Sequence, residues 1–215
     1  MVIAIDGPAG SGKGTVAKIL SEKLNLVNID TGATYRCLAL KALKNNCTND
    51  KEKIIELSKN IDIKFDVEGN VYLDSIDVTK EIRSRDVTNI VSPISSIVEV
   101  RKNLADLQRK MATSLDVVME GRDITTVILP NADFKFYLDA SLEERVNRRI
   151  QQNKEKNIDM SYEEVYENIK ARDYNDSHKE VGSLIRTDEQ IYIDSTNLKI
   201  EEVVDLIMKE VLNES

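Results

Sequence analysis

Short apolar runs alternate with helical periodicity along most of this chain. Val2–Ile5, Leu26–Ile29, Val117–Met119, Phe134–Leu138 and Ile191–Ile193 are each brief and rich in branched or aromatic side chains. Runs of consecutive apolar residues at that length suit strands covered on both faces of a parallel sheet. Between them, apolar positions recur every three or four residues. Val16, Ala17, Ile19, Leu20 and Leu24 share one helical face; Ile97, Val100, Leu104, Leu107 and Met111 share a second. Ile200, Val203, Val204, Ile207 and Val211 form a third. The pattern predicts an α/β fold, with a central five-stranded parallel sheet and helices on both faces.

Two segments depart from it. In "IDIKFDVEGNVYLDSIDVT", Ile61, Ile63, Phe65 and Val67 alternate with polar residues, "EGN" supplies a turn, and Val71, Leu73, Ile76 and Val78 resume the apolar set. That reads as a small antiparallel insertion covered on one face only. The polar stretch "QQNKEKNIDMS" lies between two helical patterns and is predicted to be a short, mobile lid.

Composition narrows the partners. At 215 residues the chain suits one compact unit with small appendages. A net charge of -8 and a pI near 4.9 argue against a nucleic-acid partner, which calls for excess basic charge. No apolar run approaches the ~20 residues of a bilayer span, so no membrane association is expected. The first residues open directly into a strand-like run, and Cys37 and Cys47 lack the spacing of a metal site or disulfide framework. A cytoplasmic protein is the expectation.

The chemistry begins at "GPAGSGKGT", that is Gly7, Pro8, Ala9, Gly10, Ser11, Gly12, Lys13, Gly14 and Thr15. An apolar strand precedes it and a helical pattern follows, the context of a P-loop. There, backbone N–H groups and a helix N-terminus surround phosphate oxygens while a lysine neutralises them. Gly14 stands where a Ser or Thr usually holds Mg²⁺, and Thr15 comes one residue late.

With that late threonine the loop resembles those of the nucleoside monophosphate kinases. "DTGATYR" (30–36), "RDVTNIVSPISSIVEVR" (85–101), "GRDITTVILPNAD" (121–133) and "RDYNDS" (172–177) follow in the order found in bacterial cytidylate kinases. The similarity runs nearly end to end. It implies a P-loop kinase fold acting as one unit and a monomer. A core would span 1–36, 113–148 and 164–215, a CMP-binding region with the insertion 37–112, and a lid 149–163. The implied reaction is phosphoryl transfer from ATP to CMP or dCMP with Mg²⁺. A kinase for UMP or AMP is the alternative, and a nucleotide switch is disfavoured because Lys156 stands where its base-reading aspartate belongs.

The resemblance also distributes roles. The loop residues with Arg145 and Arg149 would meet ATP, and Lys13, Arg122, Arg149 and Arg172 would act on the transferred group. Thr31, Arg36, Ser92, Arg101, Arg122, Asp123, Arg172, Asp176 and Lys179 would bind CMP. Within that set, Ser92, Arg101 and Asp123 would read the cytosine. Glu120 would hold Mg²⁺ through water, standing as Glu where Asp is frequent. Lys179 and Ser183 replace an arginine and a proline usual in the family. Taken alone, Asp30 and Thr31 equally suit a helix cap, and a solvated face beside Glu143 and Glu144 is the lesser alternative for Arg145 and Arg149.

Overall fold

The computed structural model describes residues 1–155 and 157–213. The five predicted strands are present as β1 (Val2–Asp6), β2 (Val27–Asp30), β6 (Val117–Gly121), β7 (Phe134–Asp139) and β8 (Ile191–Asp194). They form one parallel sheet in the order β2-β6-β1-β7-β8. Each ends on Asp or Gly beyond its apolar run, because pairing carries the chain past the residues that pack. Ile3 lies opposite Val118 and Phe134. β1 is thus central and covered on both sides.

The alternation within β1 sets the layers. Ile3 and Ile5 pack with Val16 and Leu20 of α1 (Lys13–Leu24) and with Val203, Val204, Ile207 and Val211 of α8 (Ile200–Asn213). On the other face Ala4 packs with Ile29, Met119, Ile124 and Ala105 of α5 (Val98–Ser114). Burying a Leu or Ile side chain contributes about 1.5–3 kcal/mol, so these two faces hold the sheet between its helices.

The insertion is a separate three-stranded antiparallel sheet: β3 (Ile63–Phe65), β4 (Val71–Leu73) and β5 (Ile76–Asp77). Ile63, Val71, Leu73 and Val78 are buried against Leu38 and Leu40 of α2 (Thr31–Lys44) and Ile54 of α3 (Lys51–Lys59). Val67 and Ile76 are exposed, contrary to the alternation reading: Val67 lies in the turn after β3, and Ile76 follows a tight turn in which Asp74 and Ser75 take positive φ. α4 (Arg85–Ser95) then leads back to α5.

α6 (Leu142–Glu155) and α7 (Tyr162–Ser177) pack through Val146, Val165 and Ile169. The segment expected to be a lid therefore begins inside a helix, and Lys156 lies outside the described residues. Ser161 opens α7 with a capping box to Glu164. Among the described residues, no helix is long and apolar enough to cross a membrane.

Candidate active site

The glycine-rich stretch closes the gap between β1 and α1. Gly10 and Gly12 take φ of +83° and +92°, the left-handed region that favours glycine. A Cβ on Gly7 would collide with the carbonyl oxygen of Leu138. Gly12 caps α1 without a side-chain hydrogen bond, and no acidic residue occupies the helix's first turn. The first N–H groups of α1 are therefore open to an anion. In the same loop the Ser11 hydroxyl is buried without a hydrogen-bond partner among the described residues. Lys13 begins the helix, with Nζ donating to the Pro8 carbonyl at 3.1 Å and lying 3.8 Å from Glu120. Burial, then the positive charge of Arg122, lowers the Lys13 ammonium to about 8, although Glu120 pulls the other way. Burial likewise pushes the Glu120 carboxyl up, with nearby Asp30 adding to the rise.

A cavity of about 1010 Å³ opens beside this loop, past the carboxyl ends of β2 and β6. That is the crevice where open α/β sheets bind ligands. Ala9, Gly10 and Lys13 form one wall; Thr31, Arg36, Ser92, Arg101, Glu120, Arg122, Asp123, Arg149, Arg172, Asp176 and Lys179 also line it. Asp30 caps α2 by accepting from the Ala33 N–H at 3.2 Å, and the Thr31 hydroxyl donates to the Glu120 carbonyl at 2.9 Å. Arg36 donates to Thr88 Oγ1 at 3.0 Å and to the Ile82 carbonyl at 3.3 Å. Ser92 is exposed, its carbonyl accepting from the hydroxyls of Ser95 and Ser96.

Besides the Lys13–Glu120 and Arg83–Asp30 contacts, two tighter ion-pair groups line the cavity. Arg101 and Asp123 are buried and meet at 2.8 Å, with the Arg101 guanidinium 5.5 Å from the Tyr35 ring centre. Burial raises the Asp123 carboxyl against the pull of Arg101. In the second group, Asp176 accepts from Arg122 Nε at 2.6 Å and from Lys179 Nζ at 2.7 Å. Burial alone would raise Asp176, yet the two cations hold it down at about 2. Between the groups, positive charge is in excess. Desolvation, followed by the charge of Arg122, lowers the pKa of Arg172; desolvation also lowers that of Arg36, with Arg83 and Arg149 contributing. Cations held against one another in this way favour an anion of two or more charges.

Arg145 lies elsewhere. Its buried guanidinium donates to the carbonyls of Ala140 (3.0 Å) and Ala9 (3.1 Å) and pairs with Asp173 at 2.7 Å. It braces the loop from behind and does not line the cavity, because α6 runs past the loop with this side chain turned into the fold.

Sequence reasoning passed over two groups. Arg148 donates to the carbonyls of Ser11 (3.1 Å) and Ser195 (2.6 Å) and pairs with Glu144. Buried Asp6 accepts from the Ile124 and Thr125 N–H groups at 2.8 and 2.9 Å and from the Thr125 hydroxyl at 2.6 Å. It thereby fixes the turn that presents Arg122 and Asp123. The Asp immediately before the first glycine was the available signal.

A parallel sheet whose β1–α1 loop is built for phosphate and faces a cationic cavity defines a P-loop kinase. The fold agrees with solved structures: shikimate kinase from Acinetobacter baumannii in complex with shikimate superposes with a TM-score of 0.50, at 16% identity over 100% of this chain and 94% of that one. An uncharacterised protein from Eubacterium ventriosum gives 0.55 at 15% identity, covering 98% of each. Residues 3–213 match the family described as Cytidylate kinase. A cytidylate kinase from Fusobacterium nucleatum is 45% identical, covering 98% of this chain and 97% of its own; one from Caldanaerobacter subterraneus is 49% identical, covering 97% and 93%. The chain belongs to the cytidylate kinase family and is an ATP-dependent phosphotransferase.

Proposed function

We propose that the protein transfers the γ-phosphoryl group of ATP to CMP or dCMP, giving ADP and CDP or dCDP, in the cavity between the glycine loop and α7. The carrying observation is the cluster of Arg36, Arg122, Arg149 and Arg172 that lines one cavity together with Lys13. Two crowded phosphates would be neutralised there. Arg149 and Arg172 support the reading further: both line the cavity, and among the described residues neither side chain is held by a hydrogen bond or ion pair.

The acceptor phosphate is already an oxyanion, its second pKa lying near 6, so no general base is needed. Catalysis is then positioning and charge neutralisation. In this scheme Lys13 and the first turn of α1 hold the ATP phosphates, and Arg36, Arg122 and Arg172 orient the acceptor phosphate. Asp176 holds Arg122 and Lys179 in place. Arg101 and Asp123, joined by Ser92, read the base, and Arg145 braces the loop. Region 149–163 would close as a lid and keep water from the transferring group.

Mg²⁺ fits as a companion of the nucleotide. Among the described residues no cluster of three or more His, Cys, Asp or Glu could enclose a metal ion, so most of its ligands would be phosphate oxygens and water. Glu120 would hold it through water, because a cation offsets the burial and acidic neighbours that destabilise its carboxylate. Bound there, the ion would neutralise phosphate charge. The net charge of -8 supports the absence of a nucleic-acid partner. The free cysteines Cys37 and Cys47 support a reducing, cytoplasmic setting. We take the acting unit to be a monomer.

A coupled assay measuring ADP release with CMP, dCMP, UMP and AMP as acceptors tests the reading. CMP and dCMP are expected to be good acceptors and UMP and AMP poor ones. Equal use of UMP and CMP would overturn the cytidylate assignment while leaving the loop's phosphate chemistry standing.

A further inference from the structure

The chain between α7 and β8 lies as a strap across the Arg101–Asp123 pair. Behind that pair, on the α5 side, is a second cavity of about 280 Å³. Arg101, Asp123 and Val181 border both cavities, so the ion pair and the strap together form the wall between them. Two backbone contacts anchor the strap beside the pair. The Leu184 N–H donates to the Asp176 carbonyl at 2.7 Å, and the Gly182 carbonyl accepts from Arg101 Nη2 at 3.4 Å. Among the described residues Arg101 Nε is buried without a hydrogen-bond partner, so the guanidinium is held through its two terminal nitrogens.

Gly182 takes φ +69°, in the left-handed region. A Cβ there would fall well inside contact distance of Asp123 Oδ2 and Arg101 Nη2, and 2.9 Å from Asp123 Cγ. The obstructing atoms belong to two residues that are 8% and 7% exposed and whose side chains are bound to each other. Relief would therefore have to come from moving the pair itself. Cytosine offers an amino donor and ring acceptors, and it meets a carboxylate and a guanidinium correctly only if both keep their places.

We propose that Gly182 is a specificity-determining residue: its backbone packs directly against the Arg101–Asp123 pair and fixes it as the base-reading surface. The inference rests on the cytidylate reading above. Displacing a positioned group by about 1 Å can cost on the order of 10²-fold in rate. Gly182→Ala is expected to lower kcat/KM for CMP by roughly that factor, to leave KM for ATP near its original value, and to narrow the CMP-over-UMP preference.

A double-mutant cycle with Asp123→Ala separates this contact from backbone strain, which would act in both backgrounds. Asp123→Ala removes the obstructing carboxylate and frees the Arg101 guanidinium from its partner, so that it can give way to the new methyl; adding Gly182→Ala to Asp123→Ala should then change kcat/KM little. Wild-type CMP kinetics in Gly182→Ala, or equal losses in the two backgrounds, would overturn the proposal. If Gly182→Ala alone fails to fold, the thermal midpoint decides: recovery in the double variant supports the contact, and continued failure overturns it. Equal use of CMP and UMP by the unaltered protein would instead be a failure of the cytidylate reading, and the first measurement detects it.

Discussion

Replacing Lys13 by methionine should abolish phosphoryl transfer and at the same time stabilise the empty protein. Lys13 is 6% exposed, and its ammonium sits among Arg122 and Arg172, with Glu120 at 3.8 Å. Its pKa falls from the ordinary 10.5 to about 8, chiefly through burial. At pH 7 that corresponds to about 3 kcal/mol against holding the charge. Methionine keeps the aliphatic stem and removes the charge, so the thermal midpoint should rise by roughly 6–12 °C for a protein of this size. The sign with pH is definite. Folding destabilises the charged form, so the variant's advantage is full below pH 8 and fades as pH rises from 8 to 10.5, where the unfolded chain also loses the proton. Turnover with CMP should drop by on the order of 10²-fold or more, as for loss of one strong electrostatic donor. Differential scanning calorimetry at pH 7 and 10, beside the coupled assay, tests both halves. A folded variant with near-full turnover would refute the phosphate role of the loop. A lower midpoint at pH 7 would refute the claim that the empty site holds Lys13 at a cost.

Asp123→Ala should damage CMP turnover far more than residual UMP turnover, since a site that pairs with donors and acceptors discriminates by roughly 10²- to 10⁵-fold; kcat/KM for both acceptors measures it. Lys179→Arg should keep or raise activity by restoring a planar fork beside Asp176, and Lys179→Ala should raise KM for CMP more than for ATP. Arg148→Ala removes the clamp on the Ser11 carbonyl and should raise KM for ATP by about 10-fold, an effect of about 1.4 kcal/mol, with KM for CMP unchanged. Equal effects on the two substrates would show that Arg148 supports the whole fold and not the loop.

Much of this protein was determined by local sequence. Strand runs such as Val2–Ile5 and helical faces such as Val203–Ile207 carry their period in consecutive residues, so element type and sheet class follow from burial on one or both faces. The glycine loop is equally local, because its backbone needs glycines at fixed offsets before a helix. Long-range contact decided the rest. Val67 and Ile76 share the apolar alternation of their neighbours yet face solvent, since pairing register and the turn at Asp74–Ser75 select which side packs. Arg145, Arg148 and Arg149 look alike on one polar helix. Only the approach of the loop and of Ser195 turns the first two inward and leaves Arg149 in the cavity. The capping glycine at 182 is one letter in a polar stretch, and its meaning arises from Arg101 and Asp123, 81 and 59 positions earlier, which the fold alone brings against it.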